Sequence, residues 1–325
     1  MKIGVLGAAR IAPAALIRPA RAVDGVEVAA VAARDRARAQ AFAARHGVPA
    51  VHDSYAGLIA DPSLDAVYIP LPNGLHARWT IQALKSGKHV LCEKPFTSTA
   101  AQAREVAAAA ECTGLVVMEA FHYRYHPLAQ RMAGLVHGGE LGRIQRVETA
   151  VCFPLPRFYD IRYNFSLAGG ALMDAGCYAV HCLRLLAPGD PAVVTANALT
   201  LRRDRRIDRA MTAQFRLPEG TAGEICASLW SSALLRIRAR VSGERGTMTV
   251  TNFIMPQLRS RFTVTVDGRR RREHFGGEST YTRQLRAFAA AVRGEPTNLT
   301  PPSDSVATMA LIDDIYTAAG LPLRP

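Results

Sequence analysis

No stretch of eighteen uncharged apolar residues occurs in this sequence, so no helix is expected to cross a membrane. An apolar leader with a cleavage site is missing too. Met1-Lys2 runs straight into the strand-like Ile3-Gly4-Val5-Leu6, and a cytoplasmic setting is expected. The six cysteines (92, 112, 152, 177, 182 and 226) form no Cys-x-x-Cys pair. Thiols scattered in this way suit a reducing compartment and argue against a disulfide framework or a zinc ribbon. Internal repeats and low-complexity linkers are absent.

Acidic residues are in short supply: 27 Asp+Glu against 40 Lys+Arg leave a net charge of +13. Such an excess brings a nucleic-acid partner to mind. The arginines, however, are spread among alanines along the whole chain with no recognition motif, so no nucleic-acid partner is expected. The one dense run, Arg269-Arg270-Arg271-Arg272, follows the alternating Phe262–Val266 and the hairpin-turn pair Asp267-Gly268. It reads as a solvated strand edge, where charge discourages sheet-to-sheet aggregation. The surplus positive charge would also attract an anionic cofactor.

What is present is material for burial. With 325 residues, 49% of them hydrophobic and 21% charged, the chain has enough for about two cores. Short apolar runs at Ile3–Leu6, Val26–Ala32, Ala66–Ile69, His89–Cys92 and Leu115–Met118 alternate with helical patterns. Gly47, Gly87 and Gly114 stand where helices should stop. Repeated βα units with short connections predict a parallel sheet covered by helices. Beyond Phe121 the texture changes: longer strand patterns cluster between residues 144 and 266, and one amphipathic helix near Leu172–Leu186 precedes most of them. The expected fold is α/β, with a Rossmann dinucleotide-binding domain over residues 1–121. An α+β domain with a large, mostly antiparallel, open-faced sheet is expected over 122–325.

The first βα turn reads Gly7-Ala8-Ala9-Arg10-Ile11-Ala12. On the dinucleotide fingerprint, Gly7 makes the tight turn, Ala9 allows the pyrophosphate to approach, and Ala12 packs helix on strand. The free N–H groups at the start of the helix, around Arg10 and Ile11, suit an anion. After the second strand comes Ala33-Arg34-Asp35, with Arg38 one helical turn further on. An acidic residue at this point binds the ribose 2′-OH of NAD, whereas arginine pairs with a 2′-phosphate. Arg34 and Arg38 therefore favour NADP, and Asp35 leaves NAD open.

Two further loops follow strands: Pro70-Leu71-Pro72-Asn73-Gly74-Leu75-His76 and Glu93-Lys94-Pro95-Phe96. Open α/β sheets bind ligands at these strand ends. A lysine at the mouth of a buried strand is a candidate for chemistry. In the second half, Gly169-Gly170 opens the helix that carries Asp174, Tyr178 and His181, spaced to share one face. His122 and His126 have metal-ligand spacing, but Pro127 follows and no Glu or Cys partner stands near, so no metal is expected.

The order Gly-x-Ala-x-x-Ala, Pro-Asn-x-x-His, Glu-Lys-Pro and Gly-Gly-x-x-x-Asp-x-Gly-x-Tyr resembles the glucose–fructose oxidoreductase/inositol dehydrogenase (Gfo/Idh/MocA) family. So do Glu119–Tyr125, Tyr281-Thr282-x-Gln284 and Leu311–Tyr316. Many inositol-dehydrogenase-like members have His where Tyr178 stands and Asp where His181 stands. Tyr178 matches instead the dimeric dihydrodiol dehydrogenase and sugar 1-dehydrogenase subgroup. The resemblance implies hydride transfer between nicotinamide C4 and a carbinol or carbonyl carbon of a sugar, cyclic polyol or trans-dihydrodiol. Tyr178 would be the acid/base, with Lys94 and Asp174 as its catalytic partners. It further implies that Pro70, Asn73, His76, Glu93 and Lys94 line the cofactor, and that His122, Arg124, Asp174, Tyr178 and His181 meet the substrate. A homodimer, or dimer of dimers, through the second domain's sheet is implied as well. The competing expectation is a regulatory protein of the same fold that senses a dinucleotide without chemistry.

Overall fold

The apolar runs of the first third pair as one sheet, described in a computed structural model that covers all 325 residues. Its strands are β1 (Lys2–Leu6), β2 (Glu27–Ala32), β3 (Ala50–His52), β4 (Ala66–Ile69), β5 (His89–Cys92) and β6 (Val117–Glu119). They run parallel in the order β3-β2-β1-β4-β5-β6. The strand order reverses between β1 and β4, where doubly wound sheets open a ligand crevice. β3 went unseen in the sequence because its three residues, Ala50-Val51-His52, are too few and too mixed to form an apolar run.

Helices follow the sequence cues closely. Helix α1 occupies 13–20 and opens with a π turn at Pro13–Ile17. Helix α2 (Arg36–His46) starts on the Asp35 cap and ends at Gly47, whose φ of 72° is left-handed and costs glycine little. Helix α3 (Tyr55–Ile59) is short, α4 (His76–Lys85) stops just before Gly87, and α5 (Ala100–Thr113) stops at Gly114.

The second sheet contains β7 (Ile144–Cys152), β8 (Ala192–Thr200), β9 (Asp208–Arg216), β10 (Ala222–Ser228), β11 (Arg236–Gly243), β12 (Gly246–Thr251), β13 (Arg261–Val266) and β14 (Arg269–Glu273). The order is β14-β13-β12-β11-β7-β10-β9-β8, antiparallel at every pairing but β7–β10. The arginine run is indeed the edge strand β14. Arg271 there pairs with Glu140 at 2.7 Å and Glu273 at 3.1 Å, and Arg131 bonds both carboxylates. Arg131 comes from helix α6 (Pro127–His137), which is not among the elements expected from the sequence. Helix α7 (172–186) covers one face of this sheet, where Thr149 on β7 donates to the carbonyl of Ala179 at 2.8 Å. The other face carries Arg146, Glu148, Glu224, Arg236, Arg238 and Arg240; Arg146 reaches Glu224 at 2.5 Å and Glu148 at 3.4 Å.

Two compact units result. The first joins Met1–Tyr125 to Glu278–Val306, and the second joins His126–Gly277 to Ala307–Pro325. The first unit thus includes helix α8 (Thr280–Val292), which lies beyond the boundary expected at residue 121. The reason is packing: Leu285 and Phe288 of α8 are fully buried in one core with Ile3, Val5, Leu16, Val31 and Leu91. Burying each such side chain contributes roughly 1.5–3 kcal/mol, enough to set where α8 docks. The last helix, α9 (Pro302–Ala318), passes from the first unit to the second. No helix is long and apolar enough to cross a membrane.

Candidate active site

The turn after β1 is tight because Gly7 takes φ +111°, a value that L residues avoid. A Cβ there would also press on Leu71 Cδ2 at 3.0 Å. The Gly7 N–H donates to the Ala32 carbonyl at 2.7 Å, which pins the turn to the end of β2. Ala12 is fully buried beneath the start of α1, as its packing role requires. Arg10 and Ile11 are exposed at the helix N-terminus.

Arg34 and Arg38 are both exposed beside this turn, and an Arg38 Nη2 lies 3.4 Å from the Ala8 carbonyl. Both act on the Tyr55 hydroxyl, whose pKa burial raises and the two guanidinium charges oppose. Asp35 is committed elsewhere. Its carboxylate accepts from the N–H groups of Ala37 (2.9 Å) and Arg38 (3.3 Å) and so caps α2. The acidic side chain that kept NAD open is thus a helix cap, while two cations flank the turn.

The second group in this unit gathers around Lys94. The Lys94-Pro95 peptide is cis. Glu93 accepts from the Tyr68 hydroxyl at 2.7 Å and from the Lys94 N–H at 3.3 Å. His76 is wholly buried, with Nδ1 2.7 Å from the Pro95 carbonyl and Nε2 2.8 Å from the Leu71 carbonyl. It braces the β4 and β5 loops against each other, at the strand ends where the resemblance implies a cofactor. Burial, together with the Lys94 charge, lowers its pKa although both carbonyl contacts favour the proton. Pro70 is buried and Asn73 partly so, on the same β4 loop.

His122 lies 2.8 Å from Thr280 Oγ1 and stacks on Tyr281, with ring centroids 4.0 Å apart. Burial and then Lys94 lower its pKa to about 3, so the ring is neutral at ordinary pH. Tyr281 is pushed up by burial and by the Glu93 carboxylate. Lys94, Glu93, His122 and Tyr281 therefore share one neighbourhood, with Arg124 partly exposed two residues on from His122. Tyr281 belongs to a motif that carries the resemblance, whereas no local pattern in the sequence marks Thr280 as part of the site. His126 falls in the other unit and caps α6 by accepting from Leu128 N–H at 3.2 Å.

In the second unit α7 begins with a π turn at Leu172–Gly176, a feature that often marks functional sites. Tyr178 and His181 are buried and Asp174 is partly exposed. An Arg162 Nε lies 3.0 Å from Asp174 Oδ2, and that carboxylate raises the Arg162 pKa. Burial and then Asp174 push the neighbouring Tyr163 up to about 12. Arg162 gave no signal in the sequence because a folded loop brings it to Asp174. Spacing alone placed Asp174, Tyr178 and His181 on one helix.

A parallel sheet in the order 3-2-1-4-5-6, a glycine turn with two arginines, and a lysine loop at a neighbouring strand end together define a dinucleotide-dependent oxidoreductase fold. The family model for the GFO/IDH/MocA oxidoreductases with an NAD-binding Rossmann fold matches residues 1–121, and the model of that family's C-terminal domain matches 129–249. The chain belongs to the GFO/IDH/MocA oxidoreductase family.

Among its relatives, D-xylose 1-dehydrogenase (NADP(+)) 2 of Haloferax volcanii is 40% identical over 98% of this chain and 97% of its own. A dTDP-3,4-didehydro-2,6-dideoxy-alpha-D-glucose 3-reductase of Actinomadura kijaniata is 30% identical over 98% of this chain and 96% of its own. Among solved structures, a 3-ketoreductase from Actinomadura kijaniata in complex with NADP and TDP-benzene superposes with a TM-score of 0.90. It is 28% identical and aligns over 98% of this chain and 97% of that one. That ketoreductase has also been solved as one variant with a lysine replaced by alanine and another with a tyrosine replaced by phenylalanine. The two replaced positions are 84 residues apart.

Proposed function

We propose that this protein is an NADP(H)-dependent dehydrogenase acting on the C1 carbinol of an aldose, with Tyr178 as the acid/base. The observation that carries the reading is the lysine–tyrosine pair: Lys94 and Tyr178 are separated by the same 84 positions as the two residues replaced in the ketoreductase. Gly7, Ala9 and the N–H groups of α1 would cradle the pyrophosphate, and Arg34 with Arg38 would hold a 2′-phosphate. Bound there, NADP⁺ supplies the hydride acceptor. The net change is aldose plus NADP⁺ to aldonolactone, NADPH and a proton.

The protein's own part is to handle the hydroxyl proton. A free phenol, with a pKa of roughly 10, is a poor base at neutral pH. Lys94 supplies positive charge that favours the phenolate, and the neutral rings of His76 and His122 add none of their own. Asp174, held by Arg162, orients the sugar hydroxyls. The choice of an aldose rests on the Haloferax relative, and a cytosolic setting suits six cysteines that form no disulfide.

A panel of pentoses, hexoses, inositols and dihydrodiols, read as the absorbance of the NADPH formed, tests the reading. D-xylose or another aldose should give the highest kcat/KM. Turnover confined to a non-sugar alcohol contradicts the substrate class.

A further inference from the structure

Beneath the glycine pair at the start of α7 lies a wholly buried ion pair that the reaction itself does not use. The side chains of Asp208 on β9 and Arg324 are both 0% exposed, with Arg324 Nη2 2.6 Å from Asp208 Oδ1. Arg324 Nε donates to the Gly169 carbonyl at 2.7 Å, and its Nη1 donates to the Pro322 carbonyl at 3.0 Å. Its guanidinium also stacks 3.9 Å from the centre of the Tyr316 ring. The Tyr316 hydroxyl donates to Asp208 Oδ1 at 3.1 Å, and the Leu172 N–H donates to Asp208 Oδ2 at 2.7 Å. Three donors therefore converge on one carboxylate, and one of them belongs to the first residue of α7.

The packing leaves no slack. Gly170 sits at φ +136°, and a Cβ there would fall 2.2 Å from Asp208 Oδ1 and 2.9 Å from both Arg324 Nη2 and the Tyr316 oxygen. The Gly170 N–H donates to the Arg162 carbonyl at 2.8 Å, and the Gly170 carbonyl accepts from Asp174 N–H at 3.0 Å. One short stretch of backbone thus connects the buried pair to Asp174 and to the residue that holds its carboxylate.

Buried ion pairs seldom add net stability, because desolvation offsets the attraction, whereas their hydrogen bonds are directional. We infer that Asp208 and Arg324, with Tyr316, are positioning residues: they fix the start and rotation of α7 and so aim Asp174 and Tyr178 at the substrate. The inference rests on the proposed role of Tyr178. A displacement of about 1 Å in a reacting group costs on the order of 10²-fold in rate, so a small shift of α7 suffices.

The test compares Arg324→Ala, Tyr316→Phe and Tyr178→Phe with the parent. Each is assayed with NADP⁺ and the aldose of highest rate in the panel, and NADP⁺ binding is read by fluorescence. Arg324→Ala should lower kcat by about tenfold or more and leave NADP⁺ affinity unchanged. Added guanidinium ion should restore part of the lost rate. A merely structural role would not be relieved in this way. Tyr316→Phe, which removes one hydroxyl and leaves the ion pair, should lower kcat in the same sense and settles the matter if Arg324→Ala does not fold. Parent-like kcat in folded Arg324→Ala, or in Tyr316→Phe where Arg324→Ala does not fold, overturns the positioning role; so does a loss that guanidinium cannot relieve in the folded alanine variant. If Tyr178→Phe itself turns over at the parent rate, the reading of the site fails, a result distinct from failure of the positioning role.

Discussion

At the scale of single residues, the cofactor preference turns on which side chain after β2 is available. Sequence left two candidates, Arg34 and Asp35, because neighbouring positions on a chain cannot be told apart by spacing alone. The structure separates them: the Asp35 carboxylate is occupied by two backbone N–H groups at the head of α2, while Arg34 and Arg38 stand exposed at the glycine turn. Hydrogen bonds to charged groups contribute about 1.5–3 kcal/mol. Arg34→Ala should therefore weaken NADP⁺ binding by about tenfold or more and leave NAD⁺ nearly unaffected. Equal losses for the two dinucleotides, measured by titration, would rule out contact with a 2′-phosphate.

At the scale of elements, the β4 loop, the β5 loop, the turn at His122–Tyr125 and α8 meet through two neutral histidines. None of this was legible beforehand. His76 and His122 lie in separate motifs, and their partners Pro95, Leu71 and Thr280 reach them only through the fold. The arrangement has a pH signature. The folded pKa of His122 is about 3 against 6.5 for the free ring, so between those values the unfolded chain holds the extra proton. Its contribution is full above about 6.5 and lost as pH falls toward about 3, at up to roughly 1.4 kcal/mol per pH unit. His76 acts in the same sense. Melting temperature should fall from about pH 7 to about pH 5, and less so in His122→Asn, which cannot titrate. An equal fall in that variant would contradict the linkage.

At the scale of the whole molecule, the parallel sheet and the change to an antiparallel one were readable because apolar runs, glycine stops and turn pairs mark them locally. The return of Glu278–Val306 to the first unit was not, since long-range packing of Leu285 and Phe288 leaves no local pattern. The face of the second sheet opposite α7 mixes arginines with Glu148 and Glu224. We propose that two copies pair through it, the charges of one meeting opposite charges of the other. Light scattering should give twice the 35.1 kDa chain mass, and Arg240→Glu should shift the balance toward monomer. A parent protein that is monomeric at micromolar concentration excludes the pairing.

The account stands on Lys94 and Tyr178 acting as one proton-handling unit, and steady-state turnover of Lys94→Ala, Tyr178→Phe and the double variant measures that directly. Each single change should lower kcat by about 10²-fold or more, NADPH should still bind, and the double variant should be scarcely slower than the worse single one. A double variant that turns over as fast as the parent would contradict it.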